Sequence, residues 1–237
     1  MTKLVNYQLD SSDKPIATIT LQNGKANVFS SQMFVDLNEA FDQAEQDKAV
    51  VILTSGIRML SGGYDLKELQ QGVDAIKNLV GTGSRFTQRM LDFPFPIIVA
   101  VPGHCIAKAA FITLCADYAV GVEGNFKIGL NETAIGMTMH NVGIEIARYG
   151  LNKRFFHRSV FNAEMFGPLT AIEAGFLDLI VQEETLQDTA KHIAQQFSEL
   201  DLKAFGITKR RANRHIVKLL GECIETDLND PVYFGGK

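Results

Sequence analysis

The feature that most constrains this chain is a short run with almost no polar side chain, and it occurs twice. Residues 49–54 read Ala-Val-Val-Ile-Leu-Thr, and residues 97–101 read Ile-Ile-Val-Ala-Val. An unbroken aliphatic run of this length suits a strand covered on both faces, the normal situation in a parallel sheet flanked by helices. Each run leads into a glycine-bearing loop and then a helical pattern, over 50–71 and again over 97–116. The repeat is one of architecture, not of sequence. Buried strand, glycine loop and helix in alternation indicate an α/β fold with a layered core.

The rest of the chain fits around these units. Strands are expected over 4–9 and 16–21, joined by the polar stretch 10–15. Ser30 or Ser31 can cap a helix whose apolar face is Met33, Phe34, Leu37, Ala40, Phe41 and Ala44. Helices are expected over 66–71, 74–92, 107–116, 184–200 and 202–224, with strands over 118–122 and 179–181. Residues 55–65 and 126–136 read as loops, the second carrying one carboxylate, Glu132. Lys209, Arg210, Arg211 and Arg214 give the last helix a basic face, and 230–237 reads as a flexible tail. The organisation expected is a core over 1–200 and a C-terminal helical region over 201–237.

Composition removes several classes of function. A net charge of −4 argues against binding nucleic acid through its phosphates. The longest apolar stretch, 95–102, falls far short of the roughly 20 residues that span a bilayer. The start of the chain has no basic-then-apolar leader pattern. Cys105, Cys115 and Cys223 form no Cys-x-x-Cys pair, so free thiols and a cytoplasmic location are expected. Adjacent His104 and Cys105 point apart and have no evident third ligand, so no metal is expected. Phosphate-loop, dinucleotide, nucleophile-elbow and zinc-protease motifs are all missing.

What remains is the pair of strand-to-helix loops. A helix start presents N–H groups with no intrahelical acceptor, and two such loops side by side could aim two donors at one oxygen. Glycines after strands are also often no more than turns, and spacing alone does not decide between these readings.

The residues of the loops do resemble a family. Leu60-Ser61-Gly62-Gly63-Tyr64-Asp65-Leu66 is similar to the Phe-Ser-Ala-Gly-x-Asp-Leu loop of the crotonase (enoyl-CoA hydratase/isomerase) superfamily. Residues 96–104 resemble its Lys-Pro-x-Ile-Ala-x-Val-x-Gly strand and turn, and Cys115-Ala116-Asp117 its Cys-Asp helix end. Residues 126–136, with Glu132, resemble its glutamate loop, and 171–178 its Ala-x-x-x-Gly-Leu-Val-Asp segment. The resemblance implies a spiral of ββα turns with a C-terminal helical region, assembled as a homotrimer or a dimer of trimers. It implies an acyl-CoA thioester as substrate, no separate cofactor, and an enolate held between two backbone N–H groups, here those of Gly62 and Lys108.

Two departures matter. The family's helix-entry Gly-Gly-Gly appears as Ala107-Lys108-Ala109, and the first glutamate of the hydratases corresponds to Phe111. Glu132 corresponds to the second, and Gly129-Leu130-Asn131-Glu132-Thr133 looks most like the Δ3,Δ2-enoyl-CoA isomerase type. A double-bond shift needs a single base that removes a proton from C2 and returns it to C4, whereas hydration calls for a second group. The resemblance therefore implies an isomerase with Glu132 as base. The alternatives are a hydratase, or an acyl-CoA-binding member whose second donor is lost at Lys108. A Lys108 side chain filling the pocket would defeat the isomerase reading. Substrate contacts are implied at Lys25, Ala26 and Val28, at Ser61, Gly63, Asp65 and Leu66, and at Phe111, Ile135 and Met137. Lys25 and Arg58 stand near positions that meet the CoA nucleotide in the family.

Overall fold

The two aliphatic runs become neighbouring strands at the centre of one sheet. A computed structural model of the chain describes residues 3–11 and 14–230. In chain order the elements begin β1 Val5–Asp10, β2 Ile16–Leu21, α1 Ser31–Gln46, β3 Val50–Ser55, β4 Met59–Ser61, α2 Leu66–Leu69 and α3 Val73–Asp92. They continue β5 Ile97–Val101, β6 His104–Ile106, α4 Lys108–Leu114, β7 Tyr118–Val122, β8 Ile128–Gly129, α5 Asn141–Gly150, α6 Lys153–Val160 and α7 Pro168–Ala174. The chain closes with β9 Leu179–Val181, α8 Leu186–Ser198 and α9 Leu202–Asn229.

The larger sheet has the order β1-β2-β3-β5-β7-β9, with β1 antiparallel to β2 and the other pairs parallel. Every residue of β3 and of β5 is buried, which is what a strand covered on both faces requires. A second, three-stranded parallel sheet runs β4-β6-β8. Three turns of the chain, starting at β3, β5 and β7, each add one strand to the large sheet, one to the small sheet and then helix. The turn between β5 and β6 must be glycine: a Cβ at Gly103 would stand 2.1 Å from the Arg58 carbonyl oxygen, so only a bare backbone lets β6 reach β4.

The helices carry the predicted faces. Ser30 caps α1 by accepting from the Met33 N–H at 3.2 Å, and Met33, Phe34, Leu37, Ala40, Phe41 and Ala44 are all buried. The last helix runs five residues past the predicted end at 224. Asp227 holds it there by accepting from the Asn141 and Val142 N–H groups at 2.8 and 3.0 Å, at the start of α5. The basic face is narrower than expected. Lys209 is buried and pairs with Asp117 at 2.6 Å, a carboxylate that also accepts from the Ile97 N–H at 2.8 Å. Asn213 and Val217 fasten the same helix to α3, through bonds to Leu91 and Gln88. Residues 231–237 of the predicted tail lie outside the described residues.

Candidate active site

The small sheet assembles the site. Gly62 and Gly63 follow β4, Lys108 follows β6 by one residue, and Glu132 follows β8 by two. Three parallel strands thus deliver these four residues from their carboxyl ends, where open α/β sheets bind ligands.

The first loop is tied to the segment before α1. The Phe29 N–H donates to Gly63 O at 2.8 Å, and the Asp65 N–H donates to Phe29 O at 2.9 Å. The Gly62 N–H donates to Ala26 O at 2.9 Å. This corrects the expectation that Gly62 is the first oxyanion donor, because its hydrogen is already committed to the loop. The Gly63 N–H is likewise held by Ser61 Oγ at 3.0 Å. Gly63 has φ +102, and a Cβ there would meet the Ala107 Cβ at 3.0 Å and the Lys108 nitrogen at 3.8 Å. Only glycine allows the two strand-to-helix loops to lie this close.

The second loop departs from the family where its glycines are replaced. Ala107 takes φ 53 and ψ −119, a region that side chains resist, and Lys108 is the first residue of α4. The backbone strain falls on Ala107. Lys108 has ordinary helical placement, and helix geometry gives its N–H no intrahelical acceptor. Its side chain has no exposed surface. The Lys108 Nζ donates to Thr87 Oγ1 of α3 at 3.1 Å and lies 5.9 Å from the Tyr64 ring centroid. Burial drives the amine down to about 7, partly offset by Cys115 and Glu132.

Glu132 lies just before a short 3-10 turn, Thr133–Ile135, and is 8% exposed. Its carbonyl accepts from the Met137 N–H at 2.9 Å, while its Oε2 is buried without a hydrogen-bond partner among the described residues. Burial raises the carboxyl to about 7, against the pull of its own amide, Lys108 and the Asn131 amide. Phe111 fills the position of the absent glutamate and meets the His140 ring edge-to-face at 5.8 Å. His140 is buried, and burial together with Lys108 holds it down to about 3, so it is neutral. The side chain of Lys108 therefore runs to α3 and leaves the Glu132 Oε2 unbonded.

The other expected contacts separate into two groups. Lys25 is exposed, Ala26 and Val28 are half-buried beside the first loop, Leu66 is exposed at the start of α2, and Met137 packs on the core. Ser61 is wholly buried and its hydroxyl is used on Gly63, so it supports the loop and does not face a substrate. Asp65 caps α2, accepting from the Lys67 N–H at 2.9 Å. Ile135 is 53% exposed, which places it on the surface and outside any enclosed lining. Arg58 is engaged by Glu183 at 2.8 Å. His104 accepts the Lys127 N–H at 3.0 Å. Thr87 was not foreseen as part of the site. Its signal is a hydroxyl on the apolar stripe of α3 that runs through Leu79, Val80, Gly83 and Leu91.

This spiral, with its convergent loops, defines a crotonase fold. The enoyl-CoA hydratase/isomerase family profile matches residues 11–230. An enoyl-CoA hydratase/isomerase family protein from Pseudomonas syringae superposes with TM-score 0.93 at 50% identity, over 95% of this chain and 96% of that one. An enoyl-CoA isomerase from Mycobacterium tuberculosis superposes with TM-score 0.89 at 31% identity, over 96% and 98%. Carnitinyl-CoA dehydratase of Salmonella enteritidis is 26% identical over 185 residues, 77% of this chain and 70% of that protein. The chain belongs to the enoyl-CoA hydratase/isomerase family and is an acyl-CoA-processing enzyme of that family.

Proposed function

We propose that the protein is a Δ3,Δ2-enoyl-CoA isomerase with Glu132 as its single base. The observation that carries the reading is the buried Glu132 Oε2, unbonded among the described residues, in a site where Phe111 replaces the second carboxylate. Glu132 takes the C2 proton of a 3-enoyl-CoA, the electron pair moves toward the thioester oxygen, and the same carboxyl returns the proton at C4. The Lys108 N–H holds that oxygen as charge develops. We place the companion donor at Tyr64 in place of Gly62, because the preceding Gly63 packs against the Lys108 nitrogen. A carboxyl raised to about 7 is close to the working pH, where a base both accepts and returns a proton readily. Replacing Glu132 with Gln is expected to cut isomerisation of a 3-enoyl-CoA by about 10²–10⁴-fold while CoA-ester binding persists. Unchanged turnover would defeat the assignment.

Hydration is the second reading, and the Lys108 amine favours it, because it supplies a second titrating group that Phe111 does not. Hydration of crotonyl-CoA that survives Glu132→Gln would decide for it.

A further inference from the structure

The isomerase reading leaves the Lys108 side chain without a task. A wholly buried amine on a helix whose only other polar side chain, Thr113, is turned onto the Ala110 carbonyl at 2.8 Å is an unusual feature. Its neighbours Ala109, Ala110, Phe111 and Ile112 on α4 are all buried and carry no polar side-chain atom. The amine donates one hydrogen bond, to Thr87 Oγ1. Thr87 spends its own hydrogen on the Ser84 carbonyl at 2.9 Å, so it can only accept from the lysine. No carboxylate lies within ion-pair distance of Lys108 among the described residues. An amine has at least one further hydrogen to give, and an ammonium has two. Across the same site, Glu132 presents an unbonded oxygen. A purely hydrocarbon acyl chain would meet a polar donor it cannot satisfy, and unmatched buried donors are costly.

We propose that Lys108 determines specificity: the acyl group this site takes carries an oxygen function beyond the thioester, which accepts a hydrogen bond from the Lys108 amine. The shared chemistry is a hydrogen-bond-accepting oxygen, supplied either by a neutral hydroxyl or by a carboxylate. Sites built to pair a substrate oxygen discriminate strongly against the analogue that lacks it. The depressed basicity of the amine agrees with this, since a group held near 7 can serve a neutral oxygen as it stands and can be recharged by an anionic one.

The inference rests on acyl-CoA binding at this site, and the test separates the two. Three CoA esters of matched length that lack a double bond are compared by calorimetry with the full chain: pentanoyl-CoA, 4-hydroxybutyryl-CoA and succinyl-CoA. At least one oxygenated ester is expected to bind about tenfold or more tightly than pentanoyl-CoA, and which one does so identifies the hydroxyl or the carboxylate. Lys108→Met is expected to bring that ester to within about twofold of pentanoyl-CoA. Pentanoyl-CoA binding as tightly as both oxygenated esters overturns the proposal while leaving acyl-CoA binding in place. Silence from all three overturns the acyl-CoA reading and the proposal with it. The wild-type ranking decides the matter even if the variant does not fold.

Discussion

Replacing Lys108 with Met should make the protein more stable, and by an amount that depends on pH in a specific way. The folded state holds the amine at about 7, against an ordinary 10.5, because burial removes the charged form from water. A lysine that binds its proton more weakly when folded lowers stability while the unfolded chain is protonated. Stability therefore rises as pH climbs from the folded value toward the unfolded one. Linkage over this window gives a penalty of about 4 kcal/mol at pH 7, shrinking to about 1 kcal/mol near pH 10. Methionine is an unbranched side chain one heavy atom shorter than lysine and has no charge to bury. The variant forfeits the bond to Thr87, worth about 1 kcal/mol, but leaves Thr87 bonded to Ser84. The net expectation is a gain of about 3 kcal/mol at pH 7 that fades to nothing by pH 10. Urea unfolding of both proteins at a series of pH values from 6 to 10 measures it. Taking the difference at each pH cancels the titrating groups that do not interact with Lys108, leaving the amine and its neighbours Glu132, His140 and Cys115. A difference that stays flat across the window, or a variant less stable at neutral pH, would refute the reasoning that the amine is buried without adequate compensation.

Further expectations follow from other features. Because the Glu132 carboxyl is raised to about 7, kcat/KM should fall about tenfold per pH unit below neutrality as the base becomes protonated; a limb that breaks near the ordinary carboxylate value would contradict this. Ala107→Gly should stabilise the chain by about 1 kcal/mol, because φ 53 is a conformation glycine adopts freely, and thermal unfolding would register it as a higher Tm. Lys209→Met should destabilise by about 3 kcal/mol, since it leaves the half-buried Asp117 with the Ile97 N–H but without its ion-pair partner; a loss below about 1 kcal/mol in urea unfolding would mean that the pair contributes little.

What was legible in the sequence, and what was not, follows from length and separation. Strands Ile16–Leu21, Ile97–Val101, Tyr118–Val122 and Leu179–Val181 coincide with their predicted bounds. Ile97–Val101 and Tyr118–Val122 lie inside the large sheet and their burial shows as a largely aliphatic run, Ile16–Leu21 shows as apolar residues broken by two half-buried threonines, and Leu179–Val181 is a short aliphatic edge strand. Two strands of the small sheet fall inside the predicted loops 55–65 and 126–136, and the third, His104–Ile106, has no predicted element. Ile128–Gly129 has two residues, and Met59–Ser61 and His104–Ile106 have three each. Segments so short have no periodicity to detect, and pairing between distant parts of the chain creates them. Those same strands carry the site. The loops could therefore be recognised by residue type, but the commitment of the Gly62 N–H to Ala26 depended on a contact that no local pattern records. The same holds for Lys209, whose partner Asp117 lies 92 residues away.

The two substitutions in the glycine-bearing helix start, at Ala107 and Lys108, have opposite physical consequences, and the contrast is informative. Alanine at φ 53 is a small strain in the backbone with no new chemistry attached to it. Lysine at the next position costs several times more by burial, and it brings a donor and a titratable amine into the space beside the base. If the loop had simply drifted toward better helix formers, a hydrocarbon side chain would serve at position 108 at far lower cost. A group that destabilises the fold, bonds only one threonine hydroxyl among the described residues and stands across from an unbonded carboxylate oxygen is arranged as catalytic and binding sites are, where stability is given up for chemistry. The absence of the first glutamate at Phe111 and the amine at Lys108 then both follow from the proposed oxygen-bearing acyl group, and neither needs to be a step of decay.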